Sequence, residues 1–157
     1  GSRIMNASER ASALLDQVRT KLDKQPHVLR DAFARTFLGE DCDGTHPTAV
    51  EWSVWGAIQC LTGGDWDHPD AWSGHIYYWQ PKFDCVEIDG HYYDGFAVPS
   101  DPKLRETLIA AADALERAMT TPAPLYEYEG SLGDGVDVIC WLDAAIVKLR
   151  ANEWVMV

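Results

Sequence analysis

Four histidines, His46, His68, His75 and His91, fall within residues 41–100. Asp41, Cys42, Asp43, Asp65, Asp67 and Asp70 accompany them. Imidazole, carboxylate and thiolate are competent ligands for zinc. The densest run is Asp65-Trp66-Asp67-His68-Pro69-Asp70. The metal ligands to test are therefore His46, His68, Asp70, His75 and His91. A divalent ion such as zinc would be the only cofactor, and metal-assisted hydrolysis its chemistry. No spacing matches H-E-x-x-H or a cysteine knuckle. Asp41-x-Asp43-Gly44 opens like a calcium loop, but its glycine comes too early and no terminal glutamate follows. The plainer reading is a solvated acidic loop with incidental histidines.

Two further catalytic arrangements use the same stretch. Cys42 and His46 can meet across a turn, and a thiolate at a helix start would have a lowered pKa. Asp67 with Glu87 or Asp94 would suit glycosidic chemistry, with Trp66, Trp72 or Tyr92 as sugar platforms. Neither pairing carries a diagnostic motif. The plainer readings are a small half-buried thiol and a cap of rings over the core. There is no G-x-G-x-x-G and no Walker sequence. Gly130, Gly133 and Gly135 precede the last helix, where an anion can sit, but Glu129, Asp134 and Asp137 would repel phosphate.

Protein recognition has the stronger compositional support. Residues 63–98 hold Trp66, Trp72, Tyr77, Tyr78, Trp79, Phe83, Tyr92, Tyr93 and Phe96. Tryptophan and tyrosine are favoured at hot spots, and acidic rims steer basic partners. Trp66, Trp72, Trp79, Tyr92 and Tyr93 are the binding candidates. The bland alternative is a second mini-core built from the same rings.

Charge points the same way. The 157 residues carry 13 basic and 25 acidic side chains, a formal net of -12. Residues 41–100 contribute a single basic residue, Lys82. Such a balance argues against direct binding to nucleic acid or to an anionic membrane. It suits a protein partner with a basic surface. No apolar run is long enough to span a bilayer and none resembles a signal core, so a soluble, cytoplasmic protein is expected. Four cysteines are too few for a disulfide scaffold of this length. Residues 1–4 read as a cloning remnant, and 5–157 as one compact domain.

The elements that must position these groups follow from periodicity. Asn6 and Glu9 form a capping box for a first helix, with Ala11, Leu14, Leu15, Val18 and Leu22 as its apolar stripe. Pro26 is expected to open a second helix with Val28, Leu29, Ala32, Phe33 and Phe37 inside, ended by Gly39. The two would form an αα-hairpin. Residues 47–61 read as a central helix with almost no solvent face, started at Pro47 and stopped by Gly63-Gly64. Gly56 within it implies close approach of another element. Residues 63–81 read as loop, with 76–79 extended. Asp89-Gly90 between 83–88 and 91–98 signals a two-residue β-hairpin. Asp101-Pro102 opens another helix, with Leu104, Leu108, Ala111, Leu115 and Met119 as its stripe. Residues 120–135 read as a linker containing an edge strand at 126–128. Asp134 or Asp137 caps a last helix lined by Ile139, Leu142, Ile146 and Leu149. Trp154, Val155 and Val157 form an apolar tail that could support a homo-oligomer.

Trp55-Gly56-Ala57-Ile58, with Asp137-x-Ile139-x-x-Leu142-Asp143-x-Ala145-Ile146, resembles small domains of bacteria and their phages. Those carry a C-x-x-G-A-Leu-like helix and a late helix of this kind. Ser53 stands here where the cysteine would be. No activity accompanies the resemblance, which implies only an accessory or mobile-element protein.

The expectation is an α+β fold: about five helices around a buried central helix, with a two- or three-stranded antiparallel sheet. The leading function is an acidic accessory or regulatory protein acting by protein–protein binding. The alternative is a small metal-assisted hydrolase using the His/Asp cluster of residues 41–100.

Overall fold

In the computed structural model, the residues described are 5–25, 28–30, 32–63, 78–80, 85–88, 91–94, 101–121, 125–133 and 135–155. In chain order they form α1 (Ala7–Asp23), β1 (Ala34–Thr36), β2 (Asp41–Cys42), β3 (Ala49–Trp52), α2 (Val54–Thr62), β4 (Tyr78–Gln80), β5 (Cys85–Ile88), β6 (His91–Asp94), α3 (Pro102–Arg117), α4 (Leu125–Ser131) and α5 (Gly135–Val155). The fold is α+β, with helices packed round a central one and small antiparallel sheets. No helix among the described residues is long and apolar enough to cross a membrane.

The central position belongs to α1. Asn6 caps it, its side chain accepting from the Glu9 N–H at 2.9 Å, as the capping box requires. Its expected stripe of Ala11, Leu14, Leu15, Val18 and Leu22 is buried throughout. That stripe packs against α5, α3 and α2. Polar ties surround the apolar seam. Arg10 Nε donates to Thr107 Oγ1 of α3 at 2.9 Å, and Arg19 Nε to Asp143 of α5 at 2.5 Å. α3 and α5 complete the layer. Asp101 caps α3 by accepting from Lys103 N–H, with Pro102 in the first turn, where no N–H is missed. Trp141 of α5 is buried and donates its indole N–H to the Leu115 carbonyl of α3 at 2.9 Å.

The 47–61 stretch is not one helix. Residues Ala49–Trp52 are strand β3, and α2 begins only at Val54. Ser53 divides them: its backbone is extended, and its hydroxyl accepts from Gly56 N–H at 3.1 Å. Pro47 lies in a turn rather than at a helix start. The short α2 is nonetheless largely enclosed, with Val54, Gly56, Ala57, Ile58 and Gln59 buried. Gly63 ends it in the left-handed conformation expected of a C-terminal glycine. Close approach at Gly56 is real. A Cβ there would collide with the Phe33 carbonyl, and one on the buried Gly44 would collide with the Gly56 carbonyl.

The helix expected after Pro26 is also absent from the described part of that stretch. Residues 34–36 are strand β1, paired antiparallel with β2 and β3 in the order β2-β1-β3. Gly39, read as a helix stop, is instead the positive-φ residue of the β1–β2 turn. A glycine demanded by φ > 0 looks alike in both contexts. At the other edge of this sheet, the Gln25 side-chain amide pairs with Trp52 along its backbone. It donates to the Trp52 carbonyl at 3.0 Å and accepts from the Trp52 N–H at 2.8 Å.

The second sheet is β4-β5-β6, antiparallel throughout. Ile88 pairs with His91, leaving a two-residue connection as the Asp-Gly signal required. The expected edge strand at 126–128 is instead part of α4. The alternating Tyr-Glu-Tyr-Glu run suggested a period of two, but Tyr128 and Glu129 are adjacent and both buried. The final helix starts at Gly135, and Asp137 in its first turn accepts from Gly133 N–H at 3.1 Å. Asp134 lies outside the described residues, as does Val157. Trp154 and Val155 continue α5 rather than leaving it as a tail.

Candidate functional site

The sequence candidates divide into three groups. Trp66, His68, Asp67, Asp70, Trp72 and His75 lie outside the described residues. Trp79, His91, Tyr92 and Tyr93 lie in the β4-β5-β6 sheet. His46 lies in the loop between β2 and β3.

The register of the second sheet sorts its members. Trp79 pairs with Val86 and Val86 with Tyr93, so these three occupy one row across the strands. Ile88 and its partner His91 stand two positions further along. Tyr78, Glu87 and Tyr92 align in the row on one side of it, and Gln80, Cys85 and Asp94 in the row on the other. The register thus aligns Trp79 with Tyr93, and Glu87 with Tyr92.

His46 is exposed and engaged locally. Its Nδ1 accepts from Thr48 N–H at 3.2 Å and lies 3.0 Å from Thr48 Oγ1. Among the described residues, no three His, Cys, Asp or Glu side chains come together in a way that could hold a metal. The hydrolase reading therefore gains no support from this part of the chain. Cys42 is corrected as a nucleophile. It sits in β2 rather than at a helix start. Burial pushes its thiol above the ordinary range, and Asp43 and Asp41 push it the same way. A thiol that resists ionisation is a poor attacking group. Burial also raises the Asp43 carboxyl, against the pull of His46.

Glu129 is the group that the sequence reading did not single out. It is 6% exposed, yet its carboxylate oxygen accepts from the Val54 N–H at 2.9 Å, at the first residue of α2. Burial pushes this carboxyl up to about 8, while hydrogen bonds from the Val54 backbone and the Ser53 side chain pull it down. Desolvation wins, so the group is largely in its acid form at neutral pH. The contact latches α4 to the start of α2. Tyr128 beside it packs edge-on against Trp141, with ring centroids 5.0 Å apart and planes at 63°. A buried acid one position after a buried ring is the signature of an element wedged between two others. Nothing in a Tyr-Glu-Tyr-Glu run separates that from an exposed strand.

Two grooves lie on α1. One, of about 540 Å³, runs between the end of α1 and the start of α5 and includes Arg30, Val136, Ile139 and Cys140. Arg30 there donates to the Leu132 carbonyl. The other, of about 520 Å³, has Val50, Trp52 and Leu61 as its apolar floor and Lys21 and Lys24 on its rim. Lys21 Nζ stands 3.7 Å above the Trp52 ring, a cation–π contact. Glu129 lines neither groove.

No family model matches the chain, and no curated protein or solved structure matches it, in keeping with a sequence that carries no characterised family's motif.

Proposed function

We propose that this is an acidic accessory or regulatory protein that works by binding another protein, one with a basic surface. The contact region is the ring-rich segment 63–98. The single observation that carries the reading is the register of β4-β5-β6, which pairs Trp79 with Val86 and Val86 with Tyr93. These aligned residues lie in the most acidic stretch of the chain, and aromatic anchors amid acidic charge suit a partner with a basic surface. The acidic surplus would steer encounter, and its contribution falls as salt screens it.

The test is retention of proteins on the immobilised chain, eluted by a salt gradient, beside an acidic protein of matched charge. Selective retention is expected, with earlier elution from a W79A/Y93A variant whose circular dichroism is unchanged. Equal retention by the charge-matched control, or by the double variant, would sink the reading.

A further inference from the structure

Two apolar features of the first sheet and α1 remain open to solvent, and they are complementary. The β1–β2 turn carries Phe37 and Leu38, which are 69% and 70% exposed. This tip is held rigidly. Thr36 N–H donates to the Glu40 carbonyl and Gly39 N–H to the Thr36 carbonyl, each at 2.9 Å. The Thr36 hydroxyl accepts from both Leu38 and Glu40 N–H at 3.3 Å. Two large side chains are thus presented at little further cost in backbone order, with exposed Glu40 directly behind them and then Asp41, whose carboxylate also accepts from Arg35 Nε at 3.0 Å. The groove beside α1 is the counterpart: an apolar floor of Val50, Trp52 and Leu61, with Lys21 and Lys24 above it. Val50 is 48% exposed and Leu61 37%. Among the described residues, Asp16 is the only acid lining this groove. It is a locally cationic site on a chain of net charge -12. The tip does not line the groove of its own chain.

We infer that this groove receives the Phe37–Leu38 tip of a second copy of the same chain, with Lys21 and Lys24 facing Glu40 and Asp41. The inference is independent of the binding role proposed for residues 63–98. One such contact is smaller than a stable interface needs. A two-fold pair makes it twice, tip to groove and groove to tip, and closes without leaving a free end. Ionic rims make the pair salt-sensitive.

Sedimentation velocity over a concentration series tests this. A monomer–dimer equilibrium that weakens with added salt is expected. The F37S/L38S variant should weaken it at least about tenfold, since each side chain loses its burial on association. Both residues are exposed in the single chain, so its melting temperature should hold. Charge reversal gives the second readout. K21E/K24E and E40K/D41K should each be monomeric alone, and an equimolar mixture should dimerise, because both contacts then join opposite charges. A monomer at millimolar concentration, growth beyond the dimer, or dimerisation of F37S/L38S like the parent would overturn the inference. So would a charge-reversed mixture that stays monomeric.

Discussion

Replacing Glu129 by glutamine should stabilise the protein, and only where the pH lets the unfolded chain ionise. In the folded protein the carboxyl loses its proton near 8, against 4.5 for the ordinary group. Below the lower value both states hold the proton, and Glu129 contributes no pH dependence. Between the two values the unfolded chain releases a proton that the folded chain retains, so stability falls as pH rises. Above the upper value the loss is complete and constant. At about 1.4 kcal/mol per pH unit, the total across the window is on the order of 5 kcal/mol, of which roughly 3 is reached by neutrality. A glutamine carbonyl can accept from the Val54 N–H without any charge to desolvate, so Glu129→Gln escapes the penalty. Urea unfolding of both proteins from about pH 4 to about pH 9 isolates the effect, because every other titrating group cancels in the difference. The two stabilities should agree at the acid end and separate progressively to about pH 8, with the glutamine variant the more stable. A gap of either sign that stays constant across the range would refute the buried neutral carboxyl.

Gly56→Ala should destabilise the protein by about 1–3 kcal/mol despite the better helix propensity of alanine, because its Cβ meets the Phe33 backbone, and thermal unfolding reads this directly. Ser53→Ala removes the cap that accepts from Gly56 N–H and should cost about 1 kcal/mol in chemical denaturation. Iodoacetamide followed by peptide mass mapping should label exposed Cys140 well before Cys42, whose thiol is half-buried and held above its ordinary range. Equal rates would contradict the placement of Cys42 in β2.

Long helices with a recurring apolar stripe were legible in the sequence. The stripes of α1, α3 and α5 recur over several turns, and their caps at Asn6 and Asp101 are chemically specific. The pairing of β5 with β6 was equally legible, because few backbones other than a two-residue hairpin ask for the Asp-Gly pair between them. Short elements were not. Val50, Val54 and Ala57 fit a helical stripe as well as they fit a strand followed by a helix, and only the hydroxyl of Ser53 decides between them. Gly39 was misread because a hairpin and a helix end demand the same conformation. The register that aligns Trp79 with Tyr93 was implicit in the hairpin turn and needed only the third strand to become visible. Glu129 was hidden for a different reason. An acidic side chain is ordinarily solvated, and its burial depends on α2 offering a free N–H from a distant part of the chain.

The Gln25 amide beside Trp52 has a consequence for how far the first sheet can grow. A primary amide presents one donor and one acceptor at nearly the spacing of a peptide group, so it satisfies the rim of β3 as a neighbouring strand would. Because this plug sits two residues past the end of α1, the hub of the fold holds a stopper against ribbon-like stacking of one molecule on the next. Leu29 N–H also donates to the Trp52 carbonyl at 3.4 Å, so loss of the Gln25 side chain would bare the Trp52 N–H and weaken the stop.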